Sequence, residues 1–214
     1  MAARTAKKSA ADAAFLDAGG FGAALTKALE KEPAGAVLLL DLDNFHQVNV
    51  QAGRETGDRV IKAAMTALRK WASGDGWRLG RVGGDEFALF GTGTPLETAF
   101  LQGEKLRQEL DGAMAKELPK GLRCTASVGV AAAPRDARSS SELMKKAGDA
   151  LWAAKDQGGD TVALAPGADM VLKSSYYTAA QLGRLRSLAE RQKKKESVLL
   201  REALDELLRK YDRA

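Results

Sequence analysis

Five consecutive apolar residues, Ala36-Val37-Leu38-Leu39-Leu40, stop abruptly at Asp41. A run without polar alternation, cut off so sharply, reads as a strand covered on both faces. Such a strand needs helices on both sides of its sheet, and the flanking sequence supplies them. Phe21, Leu25 and Leu29 recur at four-residue spacing up to Pro33, which marks one helix. Gly57-Asp58 opens another, with Val60, Ile61, Ala64, Met65 and Leu68 on one face and Trp71 near its end. Trp77 to Val82, a Gly83-Gly84 turn and Glu86 to Phe90 form a hairpin pattern. A helix from about Pro95 to Gly112 follows, then a strand from Cys124 to Ala131. Leu143, Ala147, Ala150, Leu151 and Ala154 mark a further helix, and Thr161 to Leu164 a last strand. The fold class is therefore α/β, one central sheet flanked by helices.

Charge divides the chain. Residues 1–169 hold 22 basic and 22 acidic side chains, whereas the last 45 hold 11 basic and 6 acidic. The whole net charge of +5 thus lies beyond Ala165-Pro166-Gly167-Ala168-Asp169, the best linker candidate. The expected organisation is a loose segment over 1–18, a nucleotide-type domain over 19–165, a linker over 166–169 and a basic module over 170–214. No apolar run is long enough to span a bilayer, and the start, Met-Ala-Ala-Arg-Thr-Ala-Lys-Lys, lacks the apolar stretch of a secretory leader. A cytoplasmic protein is expected. With one cysteine, Cys124, and one histidine, His46, a disulfide framework and a Cys/His metal centre are both excluded. Cys124 opens an apolar strand and reads as a buried, inert thiol, and Trp71 and Trp152 read as core.

Asp41 and Asp43 end the buried strand, and Asp85 and Glu86 sit at the hairpin tip. Strand ends and their loops are where α/β sheets bind ligands. Carboxylates without His or Cys suit Mg2+ (or Mn2+) bridging to phosphates. Gly83 and Gly84 suggest a turn of positive φ that a phosphate could approach closely. Spacing alone leaves open an ordinary Gly-Gly hairpin with acidic residues exposed at its tip.

Longer motifs go further. Arg81-Val82-Gly83-Gly84-Asp85-Glu86-Phe87 resembles the signature of the GGDEF family, the diguanylate cyclases. Asp41-Leu42-Asp43-Asn44-Phe45, the spacing of Asn49, Gly53, Gly57 and Asp58, Thr125-Ala126-Ser127-Val128-Gly129-Val130 and Asp149-Ala150-Leu151-Trp152-Ala153-Ala154-Lys155 are similar to that family's other motifs in the same order. The resemblance covers about residues 35–165. It implies that Asp41, Asp85 and the Leu42 carbonyl hold magnesium, and that Asn49 and Asp58 read guanine. It further implies that Phe45, Gly83 and Gly84 line the nucleotide, that Glu86 assists the reacting 3′-hydroxyl, and that Lys155 meets phosphate. The implied chemistry makes cyclic di-GMP from two GTP. The chain departs from the pattern at His46, at Val50 and at Gly159, where a phosphate-binding arginine is usual. Gly74 and Trp77 stand where the family's Arg-x-x-Asp product-inhibition motif would be. Thinned positive charge predicts slow turnover, which an arginine at Gly159 should raise. The alternative is a non-catalytic regulator responding to GTP or cyclic di-GMP.

Residues 170–214 read as a short strand, a helix capped by Thr178, a polar break at Gln192-Lys193-Lys194-Lys195 and a second helix. Apolar stripes run through Leu182, Leu185 and Leu188, then through Leu199, Leu200, Leu204, Leu207, Leu208 and Tyr211. A monomer this small cannot bury them, so a homodimer is expected. The order resembles the ribbon-helix-helix family, which implies double-stranded DNA as partner, transcription regulation and association with the nucleoid. Leu172, Ser174 and Tyr176 would then face the groove, and Lys194 and Lys195 the phosphates. The rival reading is a helical hairpin used only for dimerisation.

Overall fold

The computed structural model describes residues 15–165, 175–192, 194 and 196–211. The chain divides into two compact units, 1–170 and 171–214.

In the first unit the elements run α1 (Ala18–Lys31), β1 (Gly35–Asp43), α2 (Phe45–Ala52), α3 (Arg54–Asp75), β2 (Arg78–Arg81), β3 (Glu86–Thr92), α4 (Leu96–Met114), β4 (Thr125–Ala133), α5 (Ser140–Asp156) and β5 (Val162–Leu164). The sheet order is β2-β3-β1-β4-β5. The apolar run is its central strand, antiparallel to β3 and β4, and β5 joins β4 in parallel. Alternate β1 side chains serve two cores, as a period of two requires. Leu38, Leu40 and Leu42 pack with Val60, Ala64, Leu68, Leu106 and Leu110 of α3 and α4. Val37 packs on the other face with Phe21 and Leu25 of α1 and Leu143, Ala147 and Ala150 of α5.

Several expectations need correction. β1 runs on to Asp43, three residues beyond its apolar run, because Leu42 and Asp43 still pair with Ala126 and Thr125. The helix expected to open at Gly57 begins at Arg54, after Gly53 at φ 82°, and the separate short helix α2 precedes it. Leu16 and Asp17 are built into the domain rather than lying in a loose lead-in. Leu16 bridges Gly80, and the Asp17 carboxylate caps α1 by accepting from the Gly20 amide at 2.7 Å. Trp77 is core, its ring tilted against that of Trp71 with centres 5.3 Å apart. Trp152 is not core: it stands 56% exposed on α5. Cys124 is buried, and burial, with Asp43 adding to it, pushes its thiol up to about 12.

The second unit contains α6 (Ala179–Gln192) and α7 (Glu196–Tyr211). Thr178 is the expected cap: its hydroxyl accepts from the Gln181 amide, and its own amide donates to the Gln181 side chain. The expected strand over Met170–Tyr177 has no counterpart among the described residues, since 175–178 lack regular secondary structure. Leu172, Ser174 and Lys195 lie outside the described residues. Tyr176 is fully exposed, and the exposed Lys194 pairs with Glu202 at 2.7 Å. A ribbon-helix-helix module is therefore not what the described residues present.

Candidate functional site

Sheet register assembles the site. Asp41 on β1 lies directly across from Glu86 on β3 and from Ser127 on β4. The Leu42 amide donates to the Asp85 carbonyl at 3.3 Å, which ties the hairpin tip to the end of the central strand. Two acidic clusters 44 residues apart in sequence are thereby placed side by side.

The turn itself is braced from inside. The Val82 and Gly83 amides both donate to the Glu86 carbonyl, and the Arg81 guanidinium donates to the Gly84 carbonyl while lying over the buried Phe87 ring. Neither Gly83 nor Gly84 has positive φ, contrary to the sequence expectation. Gly83 sits close to Glu86: a Cβ there would lie 2.7 Å from a Glu86 carboxylate oxygen, which can rotate away, and 3.1 Å from the Glu86 Cβ, which cannot. Gly84 has nothing within 4 Å of where its Cβ would be, so the tip is open on that side.

Asp41 and Asp43, two residues apart, have different surroundings. Asp43 accepts from the Thr125 hydroxyl at 2.9 Å, the Ser127 hydroxyl at 2.7 Å and the Asp160 amide at 2.9 Å. It is a clamp joining β1, β4 and the turn after α5. Asp41 is 8% exposed and meets the Lys155 ammonium at 2.6 Å. Burial raises its carboxyl above the ordinary value, Lys155 draws it back down, and the Asp85 and Glu86 charges add to the rise.

Among the described residues no three His, Cys, Asp or Glu side chains form a ready-made metal cage. What the strand end and hairpin tip offer is hard oxygen: the Asp41 and Asp85 carboxylates and nearby backbone carbonyl. That donor set fits magnesium, which takes one or two carboxylates and completes its shell with substrate phosphates and water.

The residues expected to read the base lie on α2 and at the start of α3. Asn49, Phe45 and Gly57 are in mutual contact distance, because a Cβ on Gly57 would lie 2.0 Å from the Asn49 side-chain oxygen and 3.3 Å from the Phe45 ring. Asp58 is exposed one residue further on. His46 and Val50 are both exposed on α2. A separate groove of about 1100 Å³ between α3 and α4, lined by Lys62, Lys70, Lys105 and Lys116 among others, contains none of Asp41, Asp43, Asp85 and Glu86.

Residues 20–161 match the family model for the diguanylate cyclase GGDEF domain. The chain belongs to the GGDEF family. Among curated relatives, this GGDEF chain is 36% identical over 127 residues to diguanylate cyclase DgcM of Escherichia coli K12, covering 59% of this chain and 30% of that protein. It is 34% identical over 123 residues to the cyclic di-GMP phosphodiesterase NbdA of Pseudomonas aeruginosa, covering 58% and 16%. It therefore spans less than a third of the length of either relative. In fold it is similar to the active GGEEF domain of a Vibrio cholerae diguanylate cyclase, with TM-score 0.66, 23% identity and coverage of 72% of this chain and 100% of that one. The GGDEF domain of DgcB from Caulobacter crescentus, solved in complex with c-di-GMP, gives TM-score 0.64 at 24% identity, covering 77% and 99%. The family match ends before the second unit.

The family's missing arginine has a structural context that the sequence hides. Gly158, Gly159 and Asp160 have φ of 102°, 76° and 51°, and a Cβ on Gly159 would lie 3.0 Å from the Asp43 carboxylate. Gly159→Arg should therefore restore charge at a cost of about 1–2 kcal/mol for a left-handed side chain. The expected outcome is faster turnover together with a lower melting temperature. An unchanged melting curve would show that the turn carries no such strain.

Proposed function

We propose that this GGDEF domain binds GTP with a divalent cation and joins two GTP molecules into cyclic di-GMP. The observation that carries the proposal is the Asp41–Glu86 register, which sets the strand-end and hairpin carboxylates side by side. Asp41, Asp85 and the Leu42 carbonyl would hold the ion, whose chemistry is to neutralise charge on the phosphates. Asn49 and Asp58 would accept and donate along the guanine edge, with Phe45 packed beneath the loop. Glu86 would take the proton of the 3′-hydroxyl as its oxygen attacks the α-phosphorus of the second GTP. The bond to pyrophosphate breaks as the new ester forms, and a second round closes the ring.

Each domain would present one nucleotide, so two copies must meet. The second unit suits that purpose: Leu204, Leu207, Leu208 and Tyr211 on α7 are 48–68% exposed, with Leu182 and Leu188 exposed on α6. We read residues 179–211 as a helical hairpin that pairs with a second copy. DNA contact has only the basic excess of residues 170–214 behind it, and dimerisation accounts for the leucines without it.

Calorimetry with GTP and ATP, with and without magnesium, tests the binding, and product analysis after incubation with GTP and magnesium tests the reaction. Tighter GTP than ATP binding that depends on magnesium and is lost in Asp85→Ala is expected. Equal affinities would remove the guanine assignment. Binding without any cyclic product would leave the non-catalytic alternative, which His46, Val50 and Gly159 favour.

A further inference from the structure

Lys155 and a divalent ion require the same carboxylate. The Lys155 ammonium lies 2.6 Å from Oδ1 of Asp41, whose side chain is only 11% exposed, whereas that of Lys155 is 42% exposed. Among the described residues Lys155 is the one cation in an ion pair with any of Asp41, Asp85 and Glu86. The rest of the neighbourhood cannot replace it. Arg81 is turned onto the Gly84 carbonyl, Arg107 and Arg123 are held by Asp160, and the residue four places after Lys155 is a glycine.

The two partners differ in freedom to move. Asp41 sits on the central strand, fixed by neighbours on both sides, while Lys155 projects from the last turn of α5 on a four-carbon stem. When the carboxylate takes a metal ion, the ammonium is the group that leaves. A triphosphate beside the ion offers it a new partner. With no nucleotide, it would be released to water, leaving two like charges close together.

We propose that Lys155 is an exchangeable counter-ion: it pairs with Asp41 until metal and nucleotide arrive together, and then transfers to phosphate. This rests on the metal reading above and adds a consequence to it. Metal alone should bind weakly because it must expel Lys155, and nucleotide should strengthen metal binding by receiving it. By linkage, metal strengthens nucleotide binding by the same factor.

Titration of the full chain with Mn2+ in the absence of nucleotide tests this without any turnover. Lys155→Met should bind Mn2+ about five-fold more tightly than the wild type, the scale of a half-exposed ion pair. Its GTP affinity should fall, and the factor by which GTP strengthens Mn2+ binding should shrink. Lys155→Arg should behave like the wild type, which a purely steric role would not require. Lys155→Gln replaces the Met variant if that one fails to fold. Unchanged or weaker Mn2+ binding in Lys155→Met, with binding still abolished by Asp41→Asn, would overturn the exchange and leave the proposed function standing. Mn2+ binding indifferent to Asp41→Asn would overturn both.

Discussion

Gly129→Ala should destabilise the first unit by about 3 kcal/mol or more, at or above the usual range for overpacking a core. Gly129 sits mid-strand in β4, between Leu39 on β1 and Ala163 on β5. A Cβ there would lie 2.1 Å from the Ala147 carbonyl oxygen and 2.2 Å from the Leu151 nitrogen. Those are backbone atoms of α5, so no rotamer change relieves the overlap. The helix cannot simply lift away, because Leu143, Ala147, Ala150 and Ala154 anchor it in the core. At roughly 2–4 °C per kcal/mol for a domain of this size, the melting temperature should fall by about 10 °C. Thermal denaturation followed by circular dichroism gives the answer. A variant melting within about 2 °C of the wild type would mean that α5 does not rest on β4 so closely. Because α5 carries Lys155, whatever fraction remains folded should also bind GTP more weakly.

The second large effect should leave the fold nearly intact. In Gly57→Ala the new methyl carbon would overlap the Asn49 side-chain oxygen at 2.0 Å and the Asn49 Cγ at 3.0 Å. Here the obstructing atoms belong to a side chain that can rotate out of the way, so Asn49 should swing away and little stability should be lost. If Asn49 reads the guanine edge, GTP affinity should fall about ten-fold, the value of one well-made hydrogen bond plus the unmet partner left behind. ATP affinity should hardly change. Competition binding with the two nucleotides separates the cases. Equal losses for both would point to general damage to the loop. Unchanged GTP binding would take Asn49 out of the site.

Apart from α2, the strands and helices of the first unit and their order along the chain were legible in the sequence because their signals are local. Apolar periodicity reports which face of an element is buried, and an unbroken run such as Ala36–Leu40 reports burial on both. The hairpin, the Thr178 cap and the burial of Cys124 follow from the same kind of information. Ordered motifs from Asp41 to Lys155 carried the family assignment, since each keeps its chemistry in a short stretch.

What tertiary structure alone decided is which side chains face one another. Asp41 and Asp43 are two residues apart on one face of one strand; the family motif marks Asp41 as the candidate metal ligand, but nothing in the sequence gives Asp43 its role as a clamp. Tertiary contacts do: the Thr125 and Ser127 hydroxyls from β4 and the Asp160 amide from the turn after α5 meet Asp43, and Lys155 from α5 meets Asp41. Glycine at 83 lies close to the Glu86 side chain without a positive φ, while at 159 positive φ and the nearness of Asp43 act together. Trp152 lies at helical spacing from core residues yet faces solvent, because the apolar stripe of α5 is narrow and filled by alanines and leucines. Periodicity fixes the face a residue takes relative to its own element. Its partner comes from elements brought together by the fold, over separations of up to 117 residues in the case of Asp43 and Asp160.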